Sequence, residues 1–241
     1  MILSNERVGK DFYLMRVELM KEARAGRAEI ARMGQFYMLR AWKSYPVLSR
    51  PISVFDDDGK TVSFLYKVVG KGTGIFSALR KGDEISALGP LGNSFPSVTG
   101  KIALVGGGVG IAPFYLAAKQ FACHGGTSVD IYLGFSEAAV LAEEYKRVAD
   151  NLVVNVGGFI TDEIDPACYD HIMACGPEPM LRALYEKCKQ TRTEERLHIS
   201  MENRMACGVG ACFVCSCKTR GGNKKICTDG PVFKGAEVFG L

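Results

Sequence analysis

The stretch "KIALVGGGVGIAPFYLAAKQFA", residues 101–122, decides the fold. A short apolar run enters a glycine-rich turn, and the turn opens into a segment with the apolar spacing of a helix. Continuous apolar runs mark strands buried on both faces, as in a parallel sheet covered by helices. Ligands of such sheets sit beyond the carboxyl ends of the strands, where glycines let backbone amides approach a pyrophosphate at a helix N-terminus. Gly106, Gly107, Gly108 and Gly110 are the candidate residues. Ile111 stands where a full G-x-G-x-x-G has its last glycine, so by itself the turn reads equally as a nucleotide site or a tight structural turn. Pro113 suits the first turn of a helix on either reading.

Downstream the alternation repeats. "VDIYLGF" (129–135) leads into "AAVLAEEYKRVA" (138–149), "LVVNV" (152–156) follows, and "HIMACG" (171–176) leads into "EPMLRALYEKCKQ" (178–190). Strands alternating with amphipathic helices predict an α/β domain with a parallel sheet over residues 97–200. "ACGPEPML" (174–181) puts a second glycine turn at the same sheet edge, so Cys175, Gly176 and Pro177 would frame one cleft with the first turn. A nicotinamide across that cleft would bring its reactive carbon near Cys175; the alternative is a cysteine that packs at a strand end. "LGFSE" (133–137) ends the second strand, where dinucleotide-binding domains choose between a free ribose hydroxyl and a 2'-phosphate. Glu137, with Glu143 and Glu144 beyond it and no arginine before Arg147, would repel an added phosphate and favours NADH over NADPH.

Upstream, residues 1–96 read as β-structure. "FYLMRVEL", "GQFYMLRAW" and "TVSFLYKVV" are short runs rich in β-branched and aromatic residues, separated by Gly, Pro and Asp. Asp58 and Gly59 between two such runs signal a hairpin, because glycine accepts positive φ at the turn. A small antiparallel barrel is the expected outcome. Glycine and proline crowd into "GPLGNSFPSVTG" (89–100), and the domain boundary is placed at residue 97.

Residues 201–241 show no sustained periodicity and are rich in Cys and Gly, so something other than a hydrophobic core must order them. "MACGVGACFVC" (205–215) opens the series Cys207, Cys212, Cys215 and Cys227, with four, two and eleven residues between them. This is the plant-type spacing of a [2Fe-2S] cluster, held by four thiolates. Gly208 and Gly210 sit where the loop would turn backbone N–H groups toward the sulfurs. A structural zinc ion is the alternative, but only Cys212 and Cys215 form a close pair and no His lies nearby. Cys217 is taken as a non-ligand, and Cys123, Cys168 and Cys188 as small buried hydrophobes.

The chain has 241 residues, 47% of them hydrophobic, which suits two domains and an appendage. Charged residues make up 23% and the formal net charge is +4, a balance that gives no reason to expect nucleic acid or an anionic membrane. No apolar run approaches the roughly 20 residues of a membrane span, and the N-terminus lacks a basic segment followed by an apolar one, so a cytoplasmic protein is expected. His124, His171 and His198 are scattered without catalytic spacing, and no general base stands out.

"SRPISVF" (49–55), "VVGKGT" (68–73), "GPLGNSF" (89–95), "GGGVGIAP" (106–113) and "CGP" (175–177) follow one another in an order that resembles the ferredoxin-NADP reductase superfamily across nearly the whole chain. The resemblance implies an FAD-binding barrel in front of an NAD-binding α/β domain. It implies that Arg50 pairs with the flavin nucleotide's pyrophosphate, that Ser53 bonds the isoalloxazine edge with Pro51 and Ile52 beside it, and that Leu65, Tyr66 and Lys67 contact the cofactor. Gly72 and Thr73 would serve the phosphates. Ile52 departs from the aromatic residue many relatives carry. With "MACGVGACFVCSCK" and "KICTDGPVF" at the C-terminus, the chain is similar to electron-transfer subunits of B-type dihydroorotate dehydrogenases. That likeness implies a partner, an FMN-containing catalytic subunit, in a heterotetramer of two copies of each. Electrons would pass from dihydroorotate through FMN, the [2Fe-2S] cluster and FAD to NAD+, in pyrimidine biosynthesis. NADPH-ferredoxin transhydrogenases and sulfide dehydrogenases share the layout, and a self-sufficient NADH-dependent reductase or a redox-sensing module without turnover are the remaining alternatives.

Overall fold

The computed structural model describes residues 1–19, 30–123 and 125–241. His124 lies outside them. Six strands build the front of the chain: β1 (Ile2–Gly9), β2 (Phe12–Glu18), β3 (Phe36–Arg40), β4 (Arg50–Asp57), β5 (Thr61–Lys67) and β6 (Ser86–Leu91), in the order β1-β2-β5-β4-β3-β6 with antiparallel neighbours. The sheet curls on itself: Ile2 N–H donates to Asp83 C=O at 2.9 Å and Gly82 N–H to Ile2 C=O at 2.9 Å, which ties β1 to the segment before β6. Inside it, Met15, Tyr37, Leu39, Val54, Phe64 and Tyr66 pack with Phe76 from helix α1 (Lys71–Ala78). The β4–β5 hairpin turns at Gly59, φ 88°, as its Asp-Gly sequence predicts. α1 itself was not legible: eight residues with three breaks from strong helix formers carry no periodic signal, and the Gly-Thr turn proves to be its first turn.

The second sheet holds β7 (Gly100–Gly107), β8 (Thr127–Phe135), β9 (Asn151–Val156), β10 (His171–Cys175) and β11 (Leu197–Ser200), joined by β14 (Val232–Lys234), in the order β14-β11-β10-β7-β8-β9. Its pairs are parallel except β11 with β14, which is antiparallel. Helices α2 (Ala112–Ala122) and α4 (Glu178–Gln190) cover it as the sequence pattern predicts. Helix α3 (Ala142–Lys146) is shorter than its apolar pattern, because Leu141 takes a left-handed φ of 56° and breaks the run. Strand order reverses between β7 and β10, so the topological switch point lies there.

The last segment carries a two-stranded ribbon, β12 (Ser216–Thr219) with β13 (Gly222–Lys225), before the chain returns through β14 to helix α5 (Gly235–Phe239). Two of the cysteines read as buried hydrophobes are exposed: Cys123 caps the C-terminus of α2 and Cys168 ends a one-turn 3₁₀ helix, positions where the helix termination faces the side chain to solvent. Cys188 is buried. Among the described residues no helix is long and apolar enough to cross a membrane.

Candidate functional site: a cleft shared by both sheets and the cysteine segment

One cleft of about 300 Å³, within the range of small-molecule and cofactor sites, lies where the three parts of the chain meet. Arg50, Pro51, Ile52 and Ser53 of β4, Leu65, Tyr66 and Lys67 of β5, and Thr73 of α1 all line it. Gly72 stands behind Arg50: a Cβ there would fall 2.6 Å from Arg50 Nε, so only glycine lets the guanidinium lie against α1. The Thr73 hydroxyl accepts from the N–H groups of Val69 (3.0 Å) and Gly70 (3.2 Å) and so is committed to closing the turn. The first-turn amides of α1 have no acceptor within the helix. Tyr66 donates its hydroxyl to Asn5 Oδ1 at 3.0 Å, and burial raises its phenol well above the ordinary range.

The opposite wall comes from the second sheet and the cysteine segment. Val109 and Ala112 follow the first glycine turn, Ser200 and Glu202 follow β11, and Met205 and Pro231 flank the cysteines. None of these was singled out by the sequence, although Ser200 ends a strand at the same sheet edge. Glu202's carboxyl is pushed above its ordinary value by burial.

The two glycine turns sit side by side at the switch point, with Cys175 in register with Gly106. They are in contact: a Cβ on Gly110 would lie 2.4 Å from Cys175 C=O. Gly107, Gly110 and Gly176 lie where the second turn and α4 pack on the first, Gly106 lies against Ile111 and Phe114 of its own turn and helix, and Pro177 N-caps α4 behind them. Gly108 differs, with φ +56° and open space where a side chain would go, so it faces outward at the carboxyl edge of β7. Cys175 is 1% exposed, and its thiol is raised well above the ordinary value by burial first and then by Glu202. A thiol so placed stays protonated and is no nucleophile.

Beyond β8 a shallow depression takes in Gly108, Phe135, Ser136 and Glu137 from the second sheet and Lys10 from the turn between β1 and β2. Glu137 reaches this edge, but it is paired: Lys10 Nζ lies 2.8 Å from Glu137 Oε2. The pair lowers the Glu137 carboxyl and raises the Lys10 ammonium. Nothing in the local sequence of either residue announces this partner, 127 positions away. Glu143 and Glu144 occupy the first turn of α3, set back from the edge.

The four cysteines form two pairs. Cys215 Sγ and Cys227 Sγ are 3.3 Å apart, both buried, while Cys207 and Cys212 lie nearer the surface. Val209 N–H donates to Cys207 Sγ at 3.4 Å and Cys227 N–H to Cys215 Sγ at 3.5 Å. The Val209 amide, then Cys212, draw the Cys207 thiol down to about 6, whereas burial pushes Cys227 up to about 11. Two sulfur pairs, each with a backbone amide aimed at it, fit a donor set for two irons. Gly208, φ +75°, packs onto the barrel, where a Cβ would meet Met38 Cγ at 2.6 Å. Cys217 lies on β12, half-buried, with its thiol raised by burial.

A curled antiparallel sheet bearing an Arg-Pro-x-Ser strand, set against a parallel sheet with glycine turns at its switch point, defines the class: a reductase of the ferredoxin-NADP reductase type. Solved structures agree. A structure described as the NADH-dependent reduced ferredoxin-NADP oxidoreductase, reported for flavin-based electron bifurcation, superposes with a TM-score of 0.86 at 29% identity over 98% of this chain and 88% of that one. A ferredoxin-NADP+ reductase from Neisseria gonorrhoeae, with bound FAD and NADP, shares the fold at a TM-score of 0.61 and 16% identity, covering 82% of this chain and 95% of that one. Residues 202–239 match the family model "Iron-sulfur cluster binding domain of dihydroorotate dehydrogenase B". The dihydroorotate dehydrogenase B (NAD(+)) electron transfer subunit of Clostridium acetobutylicum is 45% identical over 218 residues, 86% of each chain. This chain belongs to the family of dihydroorotate dehydrogenase B electron transfer subunits, as the resemblance read from its motifs implied.

Proposed function

We propose that this chain passes electrons from a [2Fe-2S] cluster on Cys207, Cys212, Cys215 and Cys227, through FAD in the shared cleft, to NAD+ at the glycine edge. It would act as a cytoplasmic subunit beside an FMN-containing catalytic subunit that oxidises dihydroorotate, two copies of each. The observation that carries the reading is the composition of the cleft, in which β4 and β5, the carboxyl ends of the second sheet, and both flanks of the cysteine segment share one cavity. A bound flavin supplies the chemistry that links them, since it exchanges hydride with nicotinamide and single electrons with an iron-sulfur cluster.

The residues of the chain then have positioning work. Arg50 and the first-turn amides of α1 would hold the diphosphate. Ser53 offers a hydrogen bond to the ring edge, and Leu65 gives the ring an apolar wall. Ser200, which lines the cleft and is in register with the buried Cys175, would stand where nicotinamide faces flavin. The inter-sheet geometry is fixed by Lys119 of α2, bonded to both Asp56 oxygens at 2.7 and 2.8 Å, and by Phe55 stacked on Tyr115 at 4.5 Å. Such a brace suits a reaction in which a misplacement of about 1 Å costs rate. The greater identity to the dihydroorotate family, 45% against 29%, favours it over the ferredoxin oxidoreductase layout.

Purified protein should carry FAD and iron with sulfide together, and NADH should bleach both absorbances. Zinc without flavin would overturn the reading. Co-expression with the catalytic subunit followed by mass measurement tests the two-plus-two assembly.

A further inference from the structure

The only tryptophan of the chain, Trp42, lies under the guanidinium of Arg50, with Arg50 Cζ 5.4 Å from the ring centroid. Its other face is stacked on Phe76, centroids 5.5 Å apart and planes at 28°. Phe76 is fully buried in α1, so the indole is backed by the barrel core. The loop that follows is stapled by a second arginine: Arg40 donates to the carbonyls of Trp42 (2.9 Å), Lys43 (2.6 Å) and Val47 (2.8 Å). Arg50 in turn gives its Nη1 to the carbonyls of Leu48 and Ser49 at the end of that loop. Among the described residues its Nε and Nη2 have no acceptor. The Nε edge faces Gly72 in the first turn of α1, where unpaired amides collect.

The guanidinium is thus held by an aromatic face and by two carbonyls, with its Nε edge turned toward the first turn of α1 and without a protein acceptor. The indole N–H is buried without a partner. A phenyl ring would fill the stack without that cost, but indole offers a cation the stronger face. We infer that Trp42 is a positioning residue for the diphosphate subsite, holding Arg50 so that its Nε and Nη2 donors meet the two phosphates together. This rests on the reading of the cleft as an FAD site. A flexible arginine loses rotamer freedom on binding, and a preorganised one has already lost it.

The test is a double-mutant cycle on the full chain freed of flavin, titrated with FAD and read by quenching of flavin fluorescence. Trp42→Leu should weaken FAD binding about tenfold and Trp42→Phe about threefold, as loss or weakening of a desolvated cation–π contact implies. Arg50→Ala should cost more than either. In the Arg50→Ala background, Trp42→Leu should change affinity by less than about twofold, because its effect passes through the guanidinium. An undiminished loss in that background would show that Trp42 only fills space, and would overturn the inference, as would wild-type affinity in Trp42→Leu. If Trp42→Leu does not fold, the Trp42→Phe set runs the same cycle with the same criteria. Should Arg50→Ala bind FAD like the wild type, the reading of the cleft itself falls; should it bind weakly while Trp42→Leu binds normally, only the role of Trp42 falls.

Discussion

The edge of the second sheet and the cysteine segment both approach the same cleft, yet they are held there by different forces. Toward the glycine turns β7 and β10 are buried, with Ile102, Leu104, Val105, Ile172, Met173 and Ala174 all at 0% exposure. Around the cysteines, the side chains between the thiols face outward: Val209, Phe213 and Val214 are 52%, 64% and 51% exposed. Met205, Cys215, Ile226 and Cys227 turn into the core, with Cys217 packed against it. The sheet edge is rigid because hydrophobic burial over-determines it. The loop owes its shape to backbone bonds, glycines at positive φ and the four sulfurs, and so depends on what the sulfurs hold.

The sharpest way to break this contrast is to remove one sulfur. Cys215→Ser should abolish cluster-dependent transfer to the partner, by about a hundredfold or more, while NADH still reduces the flavin within about threefold; electron paramagnetic resonance and stopped-flow absorbance read the two halves. Equal loss of both would mean that loop and sheet edge are one mechanical unit. Next in size, Ile172→Ala in the sheet should cost about 3 kcal/mol by opening a core cavity, measured by denaturant unfolding of the holoprotein.

Specificity at the sheet edge gives a smaller effect. Glu137→Gln frees Lys10 from its 2.8 Å partner, so an added 2'-phosphate meets a cation in place of a carboxylate. The ratio of kcat/KM for NADPH over NADH should rise about fivefold, the scale of one exposed ion pair. No change would place the ribose elsewhere. Smallest of all, Phe213→Ala on the exposed loop should alter stability by no more than about 0.5 kcal/mol, checked by the same unfolding measurement as Ile172→Ala.

What the sequence alone determined is whatever depends on local order. Apolar runs followed by glycine and an amphipathic helix give strand, turn and helix, and the C-x4-C spacing sets Cys207 and Cys212 on one short loop, whereas Cys215 meets Cys227 through the fold. Arg50 to Ser53 were legible through the order of the motifs, and the structure puts them on one wall. Contacts between distant segments were decided by the tertiary structure. Lys10 finds Glu137, and Met205 and Pro231 close the shared cleft, only after two sheets have packed, because no local propensity encodes a partner a hundred residues away. The glycine turn shows the division most clearly: its sequence left ligand and packing equally open, and the fold assigned Gly110 to packing against Cys175 and left Gly108 facing outward.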